Sequence, residues 1–211
     1  REIDEPAAFE VMDRAVERGI NLFDTAEAYA AGASEAVIGR WLASRGGRDK
    51  LVLATKVTGP LTRERILSSA EESLRRLQTD RIDLFQLHHW NREAPLAETL
   101  EALDELVQQG KVRYIGCSNY SADNLREALE IQTAQDWATM ASVQPHYNLV
   151  ARQIEEDLVP LCQERQVGVL SYSPLGAGFL TGKYTREKLI PAGTRFDVIP
   201  AHQDIYFTEE N

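Results

Sequence analysis

The sequence is poor in cysteine, with only Cys117 and Cys162 in 211 residues. Two thiols are too few for a disulfide scaffold, and their separation does not match the spacing of a zinc site. We therefore expect both to be small buried residues, and we expect no metal site. A chain of this kind is typical of a reducing compartment, so a cytoplasmic location is expected.

Long apolar runs and blocks of positive charge are also missing. The chain has 23 basic and 33 acidic side chains, a net charge of −10, whereas nucleic acids and anionic membranes require a concentrated positive surface. Neither is an expected partner, and we expect no transmembrane helix or signal-peptide core. Apolar residues make up 43% and charged residues 27%, as in a soluble globular protein. With no linker or low-complexity segment, residues 1–211 are predicted to form a single domain.

Short apolar runs alternate with amphipathic segments along the chain. Strands are predicted over 20–24, 51–56, 82–88, 112–118 and 167–172, and a further short strand is predicted to end at residues 143–144. Helices are predicted over 7–18, 34–45, 62–78, 97–109, 121–131 and 153–166, with Ser34 and Ser121 as N-caps. The tail, residues 189–211, is predicted to be loop-like. Six strands that alternate with six helices indicate βαβ units with a parallel sheet.

Two architectures are built from such units, the doubly wound open sheet and the (β/α)₈ barrel. Doubly wound nucleotide-binding proteins carry GxGxxG after their first strand, and no such motif follows residues 20–24. The glycine-rich turn Gly176–Ala177–Gly178 follows the sixth strand, and barrels commonly build phosphate sites after their last strands. The pattern favours an α/β (β/α)₈ TIM barrel, which we expect to be incomplete, without its first strand and last βα unit.

Polar side chains stand at the carboxyl ends of the predicted strands. They are Asp24, Lys56, His88, Ser118 with Asn119, Gln144 and Tyr172, and Tyr29 follows in the first loop. In a barrel these ends share one face, where active sites lie. Each residue alone also suits a structural role, such as capping or covering the rim. Their complementary chemistry favours a shared site.

An acid, a lysine and a histidine around a tyrosine are suited to proton transfer. A free tyrosine is a poor acid at neutral pH, but a nearby ammonium favours its phenolate. We predict that Tyr29 is a general acid toward a carbonyl oxygen, that Lys56 and Asp24 tune it, and that a neutral histidine orients the carbonyl. Strand alternation allows only one of His88 and His89 to face the pocket.

A second group of residues is suited to a nicotinamide dinucleotide. Ser118, Asn119 and Gln144 can hydrogen-bond a carboxamide, and Tyr172 offers a flat aromatic face. The turn SPLGAG supplies free backbone N–H groups for a pyrophosphate. Its residues are Ser173, Pro174, Leu175, Gly176, Ala177 and Gly178.

Six motifs in order resemble those of the aldo-keto reductases, from about Gly19 to Arg195. They are GINLFDTAEAYAAGASEAVIGRWL, LVLATK, DLFQLHHW, GKVRYIGCSNY, VQPHYNL and SYSPLGAGFLTGKY. The resemblance implies a (β/α)₈ barrel that uses NADPH, or less often NADH, to reduce aldehydes and ketones without a metal. A small-molecule carbonyl compound is the implied partner, and the oligomeric state is left open.

The resemblance also assigns roles to individual residues. It implies a catalytic tetrad of Asp24, Tyr29, Lys56 and His88. It implies cofactor contacts at Asp24, Ser118, Asn119, Gln144, Tyr172, the turn Ser173 to Gly178, Lys183 and Arg195. Because it favours His88 for the tetrad, His89 and Trp90 are left at the rim, where they contact substrate.

Two other functions are compatible with the pattern. The resemblance includes the potassium-channel β-subunits, so one alternative is a nicotinamide-binding regulatory subunit with little turnover. The other is an unrelated barrel enzyme, such as a lyase or isomerase, that does not bind NADPH. The sequence shows no extended docking tail, which favours the reductase over the regulatory subunit.

Overall fold

A computed structural model describes residues 4–184 and 190–208 of the chain. The chain divides into two compact units, Arg1–Val143 and Gln144–Asn211. The first unit contains strands β1 (Leu22–Asp24), β2 (Val52–Val57), β3 (Ile82–Leu87), β4 (Val112–Ser118) and all of β5 (Met140–Gln144) except its last residue. Its helices are α1 (Glu5–Glu17), α2 (Ala33–Arg45), α3 (Arg63–Leu77), α4 (Leu96–Gln108) and α5 (Ala122–Gln135).

The order of the strands distinguishes the two architectures that the sequence allowed. The sheet follows the chain from β1 through β5, and β1 to β4 pair in parallel, with Asp24 opposite Ala54 and Lys56 opposite Gln86. A doubly wound sheet reverses its strand order at a switch point, whereas a barrel keeps it. The structure therefore confirms the prediction of a partial (β/α)₈ barrel.

Local sequence signals explain most helix boundaries in the first unit. The Thr62 hydroxyl caps α3 by accepting a hydrogen bond from the Arg65 N–H at 3.3 Å, and Ser121 caps α5. The prediction that Ser34 caps α2 is wrong, because the N-cap is Gly32. The Ser34 hydroxyl instead accepts a hydrogen bond from the Thr25 hydroxyl at 2.8 Å, which ties α2 to the end of β1.

The core of the first unit lies between the sheet and helices α3 to α5. Its fully buried apolar side chains include Leu53, Ile66, Leu77, Ile82, Phe85, Leu87, Leu100 and Leu103. Burial of one such side chain contributes about 1.5–3 kcal/mol. The predicted first strand is not buried on both faces, as an apolar run would suggest, since Ile20 is 56% and Leu22 39% exposed. Within the described residues β1 pairs with β2 and lies at an edge of the sheet.

The second unit has less regular structure than its sequence predicts. It contains α6 (Leu158–Arg165), β6 (Gly168–Val169), α7 (Arg195–Val198) and α8 (Gln203–Tyr206), with 3₁₀ helices at Gln153–Glu155 and Gly176–Thr181. The predicted helix over 153–166 is interrupted, and the predicted strand over 167–172 is shortened to two residues.

The tail, predicted to be loop-like, forms the short helices α7 and α8 within residues 190–208, whereas residues 189 and 209–211 lie outside the described residues. Phe196 and Tyr206 are buried, with ring centroids 5.8 Å apart. Burial of these aromatic side chains organises a segment that has no helical periodicity.

Across the described residues, we find no helix that combines the length and the apolar character needed to span a bilayer.

Candidate active site

A buried ion pair lies at the carboxyl ends of β1 and β2. Lys56 Nζ donates hydrogen bonds to Asp24 Oδ2 at 2.7 Å and to the carbonyl of Thr25 at 2.8 Å. The Lys56 side chain is fully buried, while that of Asp24 is 28% exposed. A buried ammonium is stable only when it is paired and hydrogen-bonded, so these partners fix the position of the lysine.

Gln86 completes the surroundings of Asp24. Its side-chain amide donates to Asp24 Oδ1 at 3.3 Å, so both oxygens of the carboxylate accept hydrogen bonds. Gln86 is fully buried on β3, directly opposite Lys56 in the parallel register. The sequence hypothesis omitted this residue. The sequence feature that could have identified Gln86 is its position as a polar side chain inside an apolar strand, two residues before His88.

Tyr29 lies next to this ion pair. It begins a 3₁₀ helix over Tyr29–Gly32 and is 41% exposed. Lys56 Nζ lies 5.0 Å from the centre of the Tyr29 ring, and the His88 ring contacts it edge to face at 5.8 Å. An ammonium at this distance attracts the π-face of the ring. The first unit therefore brings Asp24, Tyr29, Lys56 and His88 together.

His88 is electrically neutral at neutral pH. Burial, the largest cause, together with the neighbouring His89 and Lys56 lowers its pKa from 6.5 to about 4. Its main chain is held on both sides, because the His88 N–H donates to Val57 O at 3.0 Å and Asn119 Nδ2 donates to His88 O at 2.9 Å. Neutral imidazole is the state that the sequence hypothesis requires.

The expected alternation of His88 and His89 is wrong. Strand β3 ends at Leu87, so the two histidines follow it in a turn, where the period of two does not apply. Their rings lie parallel, with centroids 4.7 Å apart. Trp90 follows and contacts the buried Tyr120 edge to face at 4.9 Å. His89 is exposed and Trp90 is partly exposed.

We predict that His88 makes the fold weaker in acid. The unfolded chain binds a proton at an ordinary pKa near 6.5 and the folded chain only near 4, so stability falls as the pH drops between these values. Between about pH 7 and pH 5, the free energy of unfolding of wild type should fall by about 1–2 kcal/mol more than that of H88N. This difference is less than the full ~1.4 kcal/mol per pKa unit, because solvent screens the partly exposed ring. Urea unfolding at both pH values measures the difference. Equal losses in the two proteins would contradict this account.

Ser118 is buried at the end of β4 in the first unit, and the remaining predicted residues belong to the second unit. Gln144 is buried at the end of β5 and Tyr172 is 37% exposed. The Tyr172 ring stacks on His146 at 5.3 Å, and His146 Nε2 is hydrogen-bonded to the Tyr206 hydroxyl at 2.6 Å. Burial lowers the pKa of His146. His146 lies in the motif VQPHYNL, and the sequence hypothesis gave it no role.

The turn after Tyr172 has an unusual backbone. Gly176, Ala177 and Gly178 follow one another with φ of 57°, 56° and 98°, and Ser173 is also left-handed. A Cβ atom on Gly178 would lie 3.0 Å from Lys183 Nζ, so the Lys183 ammonium rests against this turn. Arg195 is exposed at the first residue of α7. Pro174 and Leu175 lead into the turn, and Leu175 is 59% exposed.

The described residues, 4–184 and 190–208, contain no group of three His, Cys, Asp or Glu side chains placed to hold a metal ion.

Comparison with known proteins agrees with this fold. A model of the Aldo/keto reductase family matches residues 1–198, and the chain belongs to this family. It is 38% identical to the "Uncharacterized oxidoreductase YrpG" of Bacillus subtilis (strain 168), over 95% of this chain and 67% of that protein.

Two further relatives show the same identity. The "Aldo-keto reductase YhdN" of Bacillus subtilis (strain 168) is 38% identical over 87% of this chain and 56% of that protein. "Protein tas" of Escherichia coli (strain K12) is 38% identical over 87% of this chain and 64% of that protein. The chain thus spans between about half and two thirds of the length of these relatives.

Proposed function

We propose that the chain is an NADPH-dependent oxidoreductase that reduces aldehydes or ketones to alcohols, with Tyr29 as the general acid. NADH is the alternative cofactor. The observation that carries the proposal is the buried Lys56–Asp24 pair, whose ammonium lies 5.0 Å from the Tyr29 ring. The names of the relatives support oxidoreductase chemistry.

Tyr29 transfers its phenolic proton to the carbonyl oxygen of the substrate while the carbonyl carbon is reduced. Lys56 stabilises the phenolate that forms, and it does so strongly because its buried ammonium is little screened by water. Asp24 keeps the lysine charged and oriented. Neutral His88 donates a hydrogen bond to the carbonyl oxygen. Because Tyr29 is 41% exposed, water can restore its proton after each turnover.

The turn in the second unit fits a dinucleotide phosphate. Backbone N–H groups that point to one side of such a turn bind anions, and the Lys183 ammonium beside Gly178 adds a positive charge. A bound nicotinamide supplies the hydride. Tyr172 is proposed to stack on the nicotinamide ring, and Ser118, Asn119 and Gln144 are proposed to hydrogen-bond its carboxamide. Arg195 is assigned to a cofactor phosphate, and His89 and Trp90 to the substrate.

A matched pair of alanine variants tests the proposed phosphate turn. Gly178 and Gly193 both have a positive φ, of 98° and 74°, so alanine strains both backbones. Only at Gly178 does the new Cβ press on Lys183, since Gly193 has open space around it. G178A should weaken NADPH binding about 10-fold, or about 1.4 kcal/mol, and G193A should not. Titration of NADPH fluorescence measures both affinities.

Equal affinities of the two variants would contradict the assignment of the turn. If wild type does not bind NADPH, the chain is not a reductase of this kind. If it binds NADPH tightly but reduces none of a panel of aldehydes and ketones, the nicotinamide-binding regulatory subunit is the better description.

A further inference from the structure

Glu27 is a buried carboxylate two residues before Tyr29, and it plays no part in the chemistry described above. Its side chain is 8% exposed. One oxygen, Oε1, accepts from the Thr58 N–H at 2.6 Å, from the Thr58 hydroxyl at 3.2 Å and from the Arg65 guanidinium. The other oxygen, Oε2, accepts from the Ser69 hydroxyl at 2.7 Å. The Glu27 carboxylate therefore accepts hydrogen bonds from four donor groups.

These donors belong to the segment that follows Lys56. Thr58 lies two residues after Lys56, and Arg65 and Ser69 lie on α3, the next helix. The backbone adds a further link, because the Glu27 N–H donates to the carbonyl of Lys56 at 3.2 Å. Glu27 thus binds the loop that carries Tyr29 to the end of the strand that carries Lys56.

We propose that Glu27 is a positioning residue that fixes Tyr29 relative to the Lys56 ammonium. This inference rests on the proposed function, in which Tyr29 is the acid. Proton transfer is sensitive to the placement of the donor, since an error of about 1 Å can lower a rate about 100-fold. Tyr29 is 41% exposed and begins a short 3₁₀ helix, so its own packing holds it only in part.

The carboxylate, and not merely the shape of the side chain, is required. Burial raises the pKa of Glu27, but hydrogen bonds from Arg65, Ser69 and the Thr58 backbone outweigh this effect and hold the pKa below its usual value. Glu27 is therefore ionised. Glutamine in its place would turn an N–H₂ group toward one or more of the donors, which would loosen the link between the two segments.

A second buried carboxylate in the first unit supplies a matched control. Asp83 near the start of β3 is 6% exposed. It accepts from the Leu53 N–H at 2.9 Å and pairs with Arg48 at 2.7 Å and Arg113 at 2.9 Å. Like Glu27, Asp83 accepts a hydrogen bond from a backbone N–H and pairs with arginine. Asp83 differs in that it lies at the amino ends of β2 and β3. Loss of its charge should lower stability without moving Tyr29.

The test compares E27Q and D83N in the full chain, at a temperature where both remain folded. Both should unfold at lower urea concentration than wild type. E27Q alone should lower kcat, by about 10-fold, with the NADPH Kd unchanged. The exchange of the Thr58 amide hydrogen with solvent should also become faster in E27Q alone. If E27Q does not fold, S69A removes one of the four donors and should give a smaller loss of kcat in the same direction.

The Y29F background separates positioning from general weakening of the fold. If Glu27 acts through Tyr29, E27Q adds no further loss to the residual single-turnover rate of Y29F. The inference is overturned if E27Q lowers the rate of Y29F by the same factor as that of wild type, or if D83N lowers kcat as much as E27Q. If Y29F itself keeps the wild-type rate, the proposed function fails. If Y29F is inactive and E27Q has normal kcat, only the role of Glu27 fails.

Discussion

The variant Y29F is expected to lose about 10³-fold in the rate of carbonyl reduction, the size of effect that general acid catalysis provides. Phenylalanine keeps the ring, its contact with the Lys56 ammonium and its edge-to-face contact with His88. Only the proton donor is removed. The NADPH Kd should therefore stay within about 2-fold of wild type, well under the ~1.4 kcal/mol of a tenfold change. Stopped-flow single turnovers and fluorescence titration measure the two quantities.

Tyr114 provides the control for this substitution. It lies on β4 and is 62% exposed, so Y114F makes the same chemical change away from the Lys56–Asp24 pair. Its rate should equal that of wild type. Reduction by Y29F at the wild-type rate would refute the role of Tyr29, and a large loss in Y114F would show that the assay responds to tyrosine removal in general.

The variant K56M is expected to lose both activity and stability. Methionine roughly keeps the length of the buried side chain but removes the ammonium, so no positive charge stabilises the Tyr29 phenolate. We expect kcat to fall at least about 100-fold. The Asp24 carboxylate loses its main partner and keeps the Gln86 amide. Breaking a buried ion pair costs about 3–5 kcal/mol, and the lower end applies here because Asp24 is 28% exposed. Urea unfolding and steady-state kinetics measure the two losses.

A double variant and a surface control separate the two effects. K56M/D24N removes both charges, so it should regain much of the lost stability but no activity. K50M changes an exposed lysine and should resemble wild type in both respects. Recovery of activity by the double variant would contradict the requirement for a charged lysine. If K56M were as stable as wild type, the claim that the Lys56–Asp24 ion pair stabilises the fold would be contradicted.

Much of the fold could be predicted because its signals are local. The apolar runs located the strands, the helical periodicity located the helices, and the cap Ser121 lies where the sequence placed it. The errors in the predicted fold arise where tertiary contacts, and not the local sequence, determine the structure. Ser34 is a good N-cap residue, but its hydroxyl binds Thr25 instead. The aromatic residues Phe196 and Tyr206 order a tail whose sequence has no regular period.

The candidate site could be predicted in part for a geometric reason. Carboxyl ends of parallel strands lie at the same edge of a sheet, so Asp24 and Lys56 could be placed together from their positions in the chain. Glu27 and Gln86 could not, because their roles depend on partners distant in sequence. Ser69 lies 42 residues from Glu27, and Asp24 lies 62 residues from Gln86. The side-chain direction of His89 depended on where β3 ends, and such boundaries are imprecise in sequence patterns.

Isotope transfer tests the central claim most directly. The full chain would reduce an unlabelled aldehyde with NADPH in which both hydrogens at C4 of the nicotinamide ring are deuterium, and mass spectrometry would locate the label. The account predicts deuterium on the former carbonyl carbon of the alcohol, formed rapidly by wild type and about 10³-fold more slowly by Y29F. An alcohol without deuterium, or labelled alcohol formed equally fast by Y29F, would contradict it.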